Sequence, residues 1–181
     1  MRIIVGEFKG RQLVTVKEMG VRPATARVKG TIFNILQNRL ALKGATVLDM
    51  FAGSGSLGFE ALSRGADRAV FVEKSGDALA TIEQNAEALG CGKRCEILQT
   101  SAISFIQQCS EQFHLIFADP PYKFEGTPSL PSMIFQHKLL KNDGFLIIEH
   151  SKHTSFEAGT EYRLQEQKEF GMTRLSFFVH S

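Results

Sequence analysis

Residues 46–58 read Thr46-Val47-Leu48-Asp49-Met50-Phe51-Ala52-Gly53-Ser54-Gly55-Ser56-Leu57-Gly58. Thr46–Met50 has the apolar run of a buried strand, and three glycines spaced G-x-G-x-x-G then lead into a helix over Leu57–Arg64. Glu73 stands 20 residues beyond Gly53, at the end of the next apolar run, Ala69–Glu73. Glycines let backbone approach a ligand closely, and an acid in that place accepts hydrogen bonds from ribose hydroxyls. The pair predicts an adenosine-type cofactor. A dinucleotide fits poorly, because its pyrophosphate would meet Asp49 where a bare helix N-terminus is wanted. The chain is also short for a second nucleotide-binding half. S-adenosylmethionine, with an adenosine, an ammonium and a sulfonium, suits the acid better.

Strands and helices alternate outward from this loop. Glu96–Gln99, Phe113–Ala118 and Phe145–Glu149 read as further strands, and Asp77–Leu89, Ile103–Gln108 and Ser129–Leu140 as helices. Continuous apolar strands in such alternation predict an α/β fold whose parallel sheet is covered on both faces. Tyr162–Glu169 and Thr173–Val179, joined through Phe170-Gly171-Met172, predict a terminal antiparallel hairpin. Ligands of open α/β sheets bind outside the strand C-termini. Asp49 ends the first strand, Glu73 the second, Ser101-Ala102 follow the third, and Asp119 follows the fourth. Four strand ends thus converge on one crevice.

The fourth end carries Asp119-Pro120-Pro121-Tyr122. A carboxylate and a neighbouring main-chain carbonyl can accept both N–H protons of an exocyclic amine while its flat base stacks on Tyr122. The prolines fix φ and remove N–H donors, leaving carbonyls free to accept. Asp-Pro is also an ordinary turn starter. The glycine loop upstream is what favours the catalytic reading.

With 181 residues and 43% hydrophobic content, the chain has room for one substantial core. No apolar run approaches the roughly 18–20 residues of a membrane span, and the opening lacks a signal-peptide core, so a cytoplasmic protein without membrane contact is expected. Cys91, Cys95 and Cys109 lack paired spacing, and the five histidines form no ligand pattern. Reduced structural thiols and no metal are expected.

Charge divides the chain. Residues 1–43 carry nine Lys and Arg against Glu7 and Glu18, a balance of +7, whereas the remainder carries 12 against 17, or −5. We expect a basic N-terminal extension over 1–43 and a catalytic core over 44–181. In the extension, Arg2–Val5 and Gln12–Val16 pair as a hairpin. A helix follows, capped by Thr25, with Val28, Ile32, Ile35, Leu36 and Leu40 at helical spacing. Arg2, Lys9, Arg11, Arg22 and Arg27 are the expected phosphate contacts of a polyanionic partner.

The glycine loop, Glu73 and the Asp-Pro-Pro-Tyr segment, in this order, resemble Rossmann-like S-adenosylmethionine-dependent methyltransferases of exocyclic amines. More narrowly, the chain resembles the bacterial RsmD family. The resemblance rests on Met1-Arg2-Ile3-Ile4-Val5-Gly6-Glu7-Phe8-Lys9-Gly10-Arg11, Arg22-Pro23, Phe33-Asn34-Ile35-Leu36, Leu48–Gly55, Phe71-Val72-Glu73-Lys74 and Glu149-His150. It implies a seven-stranded methyltransferase sheet completed by the final hairpin. It also implies methylation of a guanine N2 in small-subunit (16S) ribosomal RNA, free or within an assembling small subunit. Phe51 and Lys74, inside these segments, join Asp49, Gly53, Gly55, Glu73, Ser101, Ala102 and Asp119 as expected cofactor contacts. Two positions depart from the family pattern. Ala24-Thr25-Ala26-Arg27 stands for Thr-Thr-Asp-Arg, and Ser101 replaces an acid that would hold the adenine amino group. The competing readings are a DNA adenine-N6 methyltransferase and an RNA-binding module with a decayed cofactor site.

Overall fold

A computed structural model describes residues 1–16 and 26–181. Thr25, the expected helix cap, and Arg22 lie outside the described residues. Seven strands, β1 (Thr46–Met50), β2 (Arg68–Glu73), β3 (Cys95–Gln99), β4 (Phe113–Ala118), β5 (Leu140–Ser151), β6 (Tyr162–Phe170) and β7 (Thr173–His180), form one sheet in the order β3-β2-β1-β4-β5-β7-β6. The first five in that order run parallel, and β7 lies antiparallel between β5 and β6. The order reverses between β1 and β4, and that is where such sheets open a crevice.

Side chains alternate between two apolar layers, as a two-residue strand period requires. Val47, Phe71, Leu115, Phe117 and Ile147 meet α1 (Ala26–Leu36), α2 (Ser56–Ser63) and α3 (Gly76–Leu89) on one face. Leu48, Met50, Val70, Ile116, Leu146 and Ile148 meet α4 (Ala102–Gln108) and α5 (Leu130–Gln136) on the other. Ile3, Phe8 and Leu13 of the N-terminal arm belong to the first layer.

The arm pairs less with itself than its pattern suggests. A single bridge joins Arg2 to Gln12, with Ile3 N–H on Arg11 O at 3.0 Å and Leu13 N–H on Met1 O at 2.7 Å. Its next backbone groups are spent on α2. Ile4 and Val5 donate to the Glu60 carboxylate at 2.9 and 3.2 Å, and Glu7 donates to Ser63 O at 2.7 Å. Gly6, at φ +93°, has no room for a Cβ, which would stand 1.8 Å from Ser63 O.

The helix expected over Ser129–Leu140 is shorter, and the strand after it longer. A 3-10 turn over Thr127–Ser129 leads into α5, which stops at Gln136. Lys138 takes a left-handed φ of 55°, and the N–H groups of Lys138 and Leu139 bond back to Phe135 and Ile134, as in a helix stop. Leu140 then pairs with Phe113, so β5 begins well before Phe145. Tertiary pairing overrides the helical periodicity of the leucines.

Candidate active site

The glycine loop is built by what each glycine must avoid or reach. Gly53, at φ +55°, faces open space and donates its N–H to Glu73 Oε2 at 2.9 Å. Gly55 caps α2 in a left-handed conformation (φ +76°), and a Cβ there would meet the Phe59 ring at 2.6 Å. Gly58 lets α2 lie on β2, since a Cβ would come within 2.4 Å of Phe71. Phe51 holds φ at +58°, a costly conformation for a bulky side chain, and its ring packs edge-on against Phe124 at 5.0 Å. The strain sits where the loop turns into the crevice. Phe124 follows Tyr122 by two residues, so this ring contact ties the glycine loop to the Asp-Pro-Pro-Tyr segment.

Asp49 is almost fully buried, and its Oδ2 accepts the Gly58 N–H at 2.9 Å. A strand carboxylate thereby caps α2, which has no side-chain cap of its own. Burial pushes the Asp49 pKa up to about 7. The Gly58 bond works against that shift, and the nearby Glu73 charge adds to it. A cation at the crevice would favour the ionised form. Glu73 is more heavily used than its sequence position suggests. Its Oε1 accepts the N–H groups of Lys74 and Ser75 at 2.7 and 2.9 Å, leaving Oε2 beside Gly53 with spare acceptor capacity. The Lys74 side chain is exposed.

Ser101 is committed elsewhere. It caps α4, accepting the Ser104 N–H at 3.0 Å and donating to Ser104 Oγ at 2.8 Å. The adjacent Ala102 N–H opens the first turn of α4, where backbone donors have no intrahelical partner. At this strand end, main chain offers more than the serine hydroxyl does.

In the Asp-Pro-Pro-Tyr segment, the Pro121 carbonyl accepts the Phe124 N–H at 2.8 Å, closing a turn. The Pro121 oxygen thus has one of its two lone pairs engaged, whereas the Pro120 carbonyl has no hydrogen-bond partner among the described residues. Asp119 keeps part of its surface open. Burial pushes its pKa well above the ordinary value, and the Glu149 and Asp49 carboxylates add to the shift. Tyr122 is 69% exposed at the rim.

Glu149, near the end of β5, escaped the reading of single residues. Ala118 is in register with Ile148, so Asp119 and Glu149 follow side by side at two adjacent strand ends. Its strand-end position, like that of Asp49 and Glu73, was the available signal. Burial raises its pKa as well.

Arg2 and Lys9 are exposed. Arg11 donates to Ala88 O at the end of α3, and Arg27 lies over the Phe170 ring at 5.7 Å. Among the described residues no group of His, Cys, Asp and Glu is arranged to hold a metal ion. No helix there is long and apolar enough to cross a membrane. The site can grip a ligand carrying ribose hydroxyls and a cation on the β1–β2 side, and a flat amine-bearing ring on the β4–β5 side.

Comparison with known proteins agrees with this architecture. The family model described as conserved hypothetical protein 95 matches residues 1–179. The ribosomal RNA small subunit methyltransferase D of Haemophilus influenzae is 33% identical over 175 residues, covering 95% of this chain and 90% of that one. The protein of the same name from Escherichia coli K12 is 37% identical over 123 residues, covering 68% and 61%. The solved structure of yhhF from Escherichia coli superposes with a TM-score of 0.87 at 29% identity, covering 100% of this chain and 98% of that one. With the seven-stranded sheet and a family match over nearly its whole length, the chain belongs to the RsmD family of methyltransferases, described as conserved hypothetical protein 95.

Proposed function

We propose that the protein transfers a methyl group from S-adenosylmethionine to the exocyclic N2 of a guanine in small-subunit ribosomal RNA. The observation that carries this reading is that the Asp119 carboxyl and the Pro120 carbonyl, neither with a hydrogen-bond partner among the described residues, stand beside the exposed Tyr122 at the strand end facing the glycine loop. The names of the relatives supply the RNA class.

The residues fit the cofactor. Glu73 Oε2 has capacity for ribose hydroxyls, the Ala102 N–H for the adenine edge, and Asp49 for the ammonium. Gly53 leaves open space before the loop. Bound there, the cofactor supplies an electrophilic methyl group. The guanine amine is a poor nucleophile because its lone pair is delocalised into the ring. Asp119 and the Pro120 carbonyl accept its two N–H protons, localise the lone pair and fix the nitrogen in line, where orientation alone can be worth several kcal/mol or more. The raised pKa of Asp119 suits it to receive the proton that alkylation makes acidic. Tyr122 holds the base by stacking, at about 1–3 kcal/mol. A structured RNA supplies its own shape, so a small basic arm suffices for docking. Sequence-specific reading of duplex DNA would need groove-entering elements.

Mapping modified nucleotides in ribosomal RNA from cells lacking the protein tests this. One N2-methylguanine should disappear from the small-subunit RNA and return when purified protein and labelled cofactor are added. Unchanged RNA, or transfer to adenine in DNA, would overturn the reading.

A further inference from the structure

Guanine presents two neighbouring donors, N1–H and the N2 amine, whereas adenine presents a bare N1 acceptor beside its amine. Asp119 accounts for the amine alone. Next to it, Glu149 Oε2 is buried with no hydrogen-bond partner among the described residues. Such an atom is rare and costly in a native protein unless a ligand completes it.

Its placement is set by the sheet. Ala118 and Ile148 are in register between parallel strands, and both point into the layer holding α4 and α5. The next residues, Asp119 and Glu149, therefore turn to the opposite face. Asp49 shares that face, because its neighbours Leu48 and Met50 belong to the α4–α5 layer. Among the described residues, no cation is among the charges that act on either Asp119 or Glu149. The two adjacent carboxyls are thus an acceptor pair with no donor among the described residues.

We propose that Glu149 is a specificity-determining residue that accepts the guanine N1–H while Asp119 accepts the N2 amine. This rests on the guanine-N2 reading above and deepens it. A base with an unprotonated N1 would bring a lone pair against a buried carboxyl oxygen, so the site rejects it even when the amine is present. Tyr122 stacking is indifferent to this difference, because it reads only the ring face.

The test uses small-subunit RNA, reconstituted into particles, carrying either guanine or 2-aminopurine at the methylated position. 2-Aminopurine keeps the amine and replaces N1–H with an acceptor. Wild-type protein should methylate the guanine substrate on the order of 10- to 100-fold more efficiently, the cost of leaving a buried acceptor unsatisfied. Glu149→Gln, whose amide can donate to a bare N1, should narrow that ratio to within a few fold, with cofactor affinity by calorimetry unchanged. Equal methylation of both bases by the wild type overturns the inference, and needs no variant to fold. So does a wild-type ratio retained by Glu149→Gln. Failure of the wild type to methylate even the guanine substrate would instead remove the guanine-N2 reading itself.

Discussion

Lys29 Nζ lies 3.4 Å from Glu60 Oε2, with both side chains fully buried. Lys29 also donates to Arg2 O at 3.0 Å, and Glu60 accepts the Ile4 and Val5 N–H groups and Arg64 Nε. One carboxylate therefore binds the arm, α1 and α2 together. Part of the +7 counted over residues 1–43 is consequently structural and unavailable to RNA.

Removing that ammonium should be expensive. Lys29→Met leaves Glu60 buried with only Arg64 and the two N–H groups. A loss of about 3 kcal/mol is expected, the low end for a broken buried pair, or a fall in Tm of roughly 6–12 °C for a domain of this size. An unchanged melting temperature would mean the pair is not the joint between arm and core.

Asp119→Ala should abolish methyl transfer while leaving the fold intact. Its carboxyl has no described hydrogen-bond partner and is opposed by Glu149 and Asp49, so the variant should melt no lower than the wild type. Near-normal turnover in single-turnover assays would remove Asp119 from the chemistry.

At position 122, Phe should largely preserve activity, because the π face remains. Ala should lose about 1–3 kcal/mol of base-holding energy, visible mainly in KM for RNA. Equal damage from both would assign the role to the hydroxyl.

The arm makes a salt-dependent prediction. Arg2 and Lys9 are exposed, and reversing both charges should weaken RNA binding and flatten its dependence on log salt by roughly 0.7–0.9 per lost phosphate contact. Cofactor affinity should hold, since its expected ligands come from the sheet. A collapse of cofactor affinity alone would make the arm part of the cofactor site.

Asp49 predicts a pH dependence with a definite sign. Its folded pKa of about 7 lies above the unfolded value near 3.8, so the folded state binds more protons between them. Its stability contribution is complete below the unfolded value and is lost as pH rises through 7, at up to about 1.4 kcal/mol per pH unit. Wild type without cofactor should therefore lose stability relative to Asp49→Asn between pH 4 and 7. Comparing the two cancels the opposite slope of His150, whose pKa burial lowers. Parallel denaturation profiles would place no proton on Asp49.

The sequence by itself determined the strand ends and the chemistry they carry. Continuous apolar runs and glycines before a helix are local signals, so β1, β4 and the loop over residues 49–58 were legible to the residue. Asp49, Glu73 and Asp119 followed because each ends such a run. Tertiary structure decided what depends on partners distant in sequence. The early start of β5 comes from Leu140 pairing with Phe113. The occupied Pro121 carbonyl and the committed Ser101 hydroxyl come from turns and caps whose geometry no periodicity encodes. Lys29 reads as a surface charge until α2 brings Glu60 to it, and Glu149 as the end of a strand until β4 sets Asp119 beside it. Sequence patterns report which face a residue takes. Only the packed chain decides which donor or acceptor it meets there.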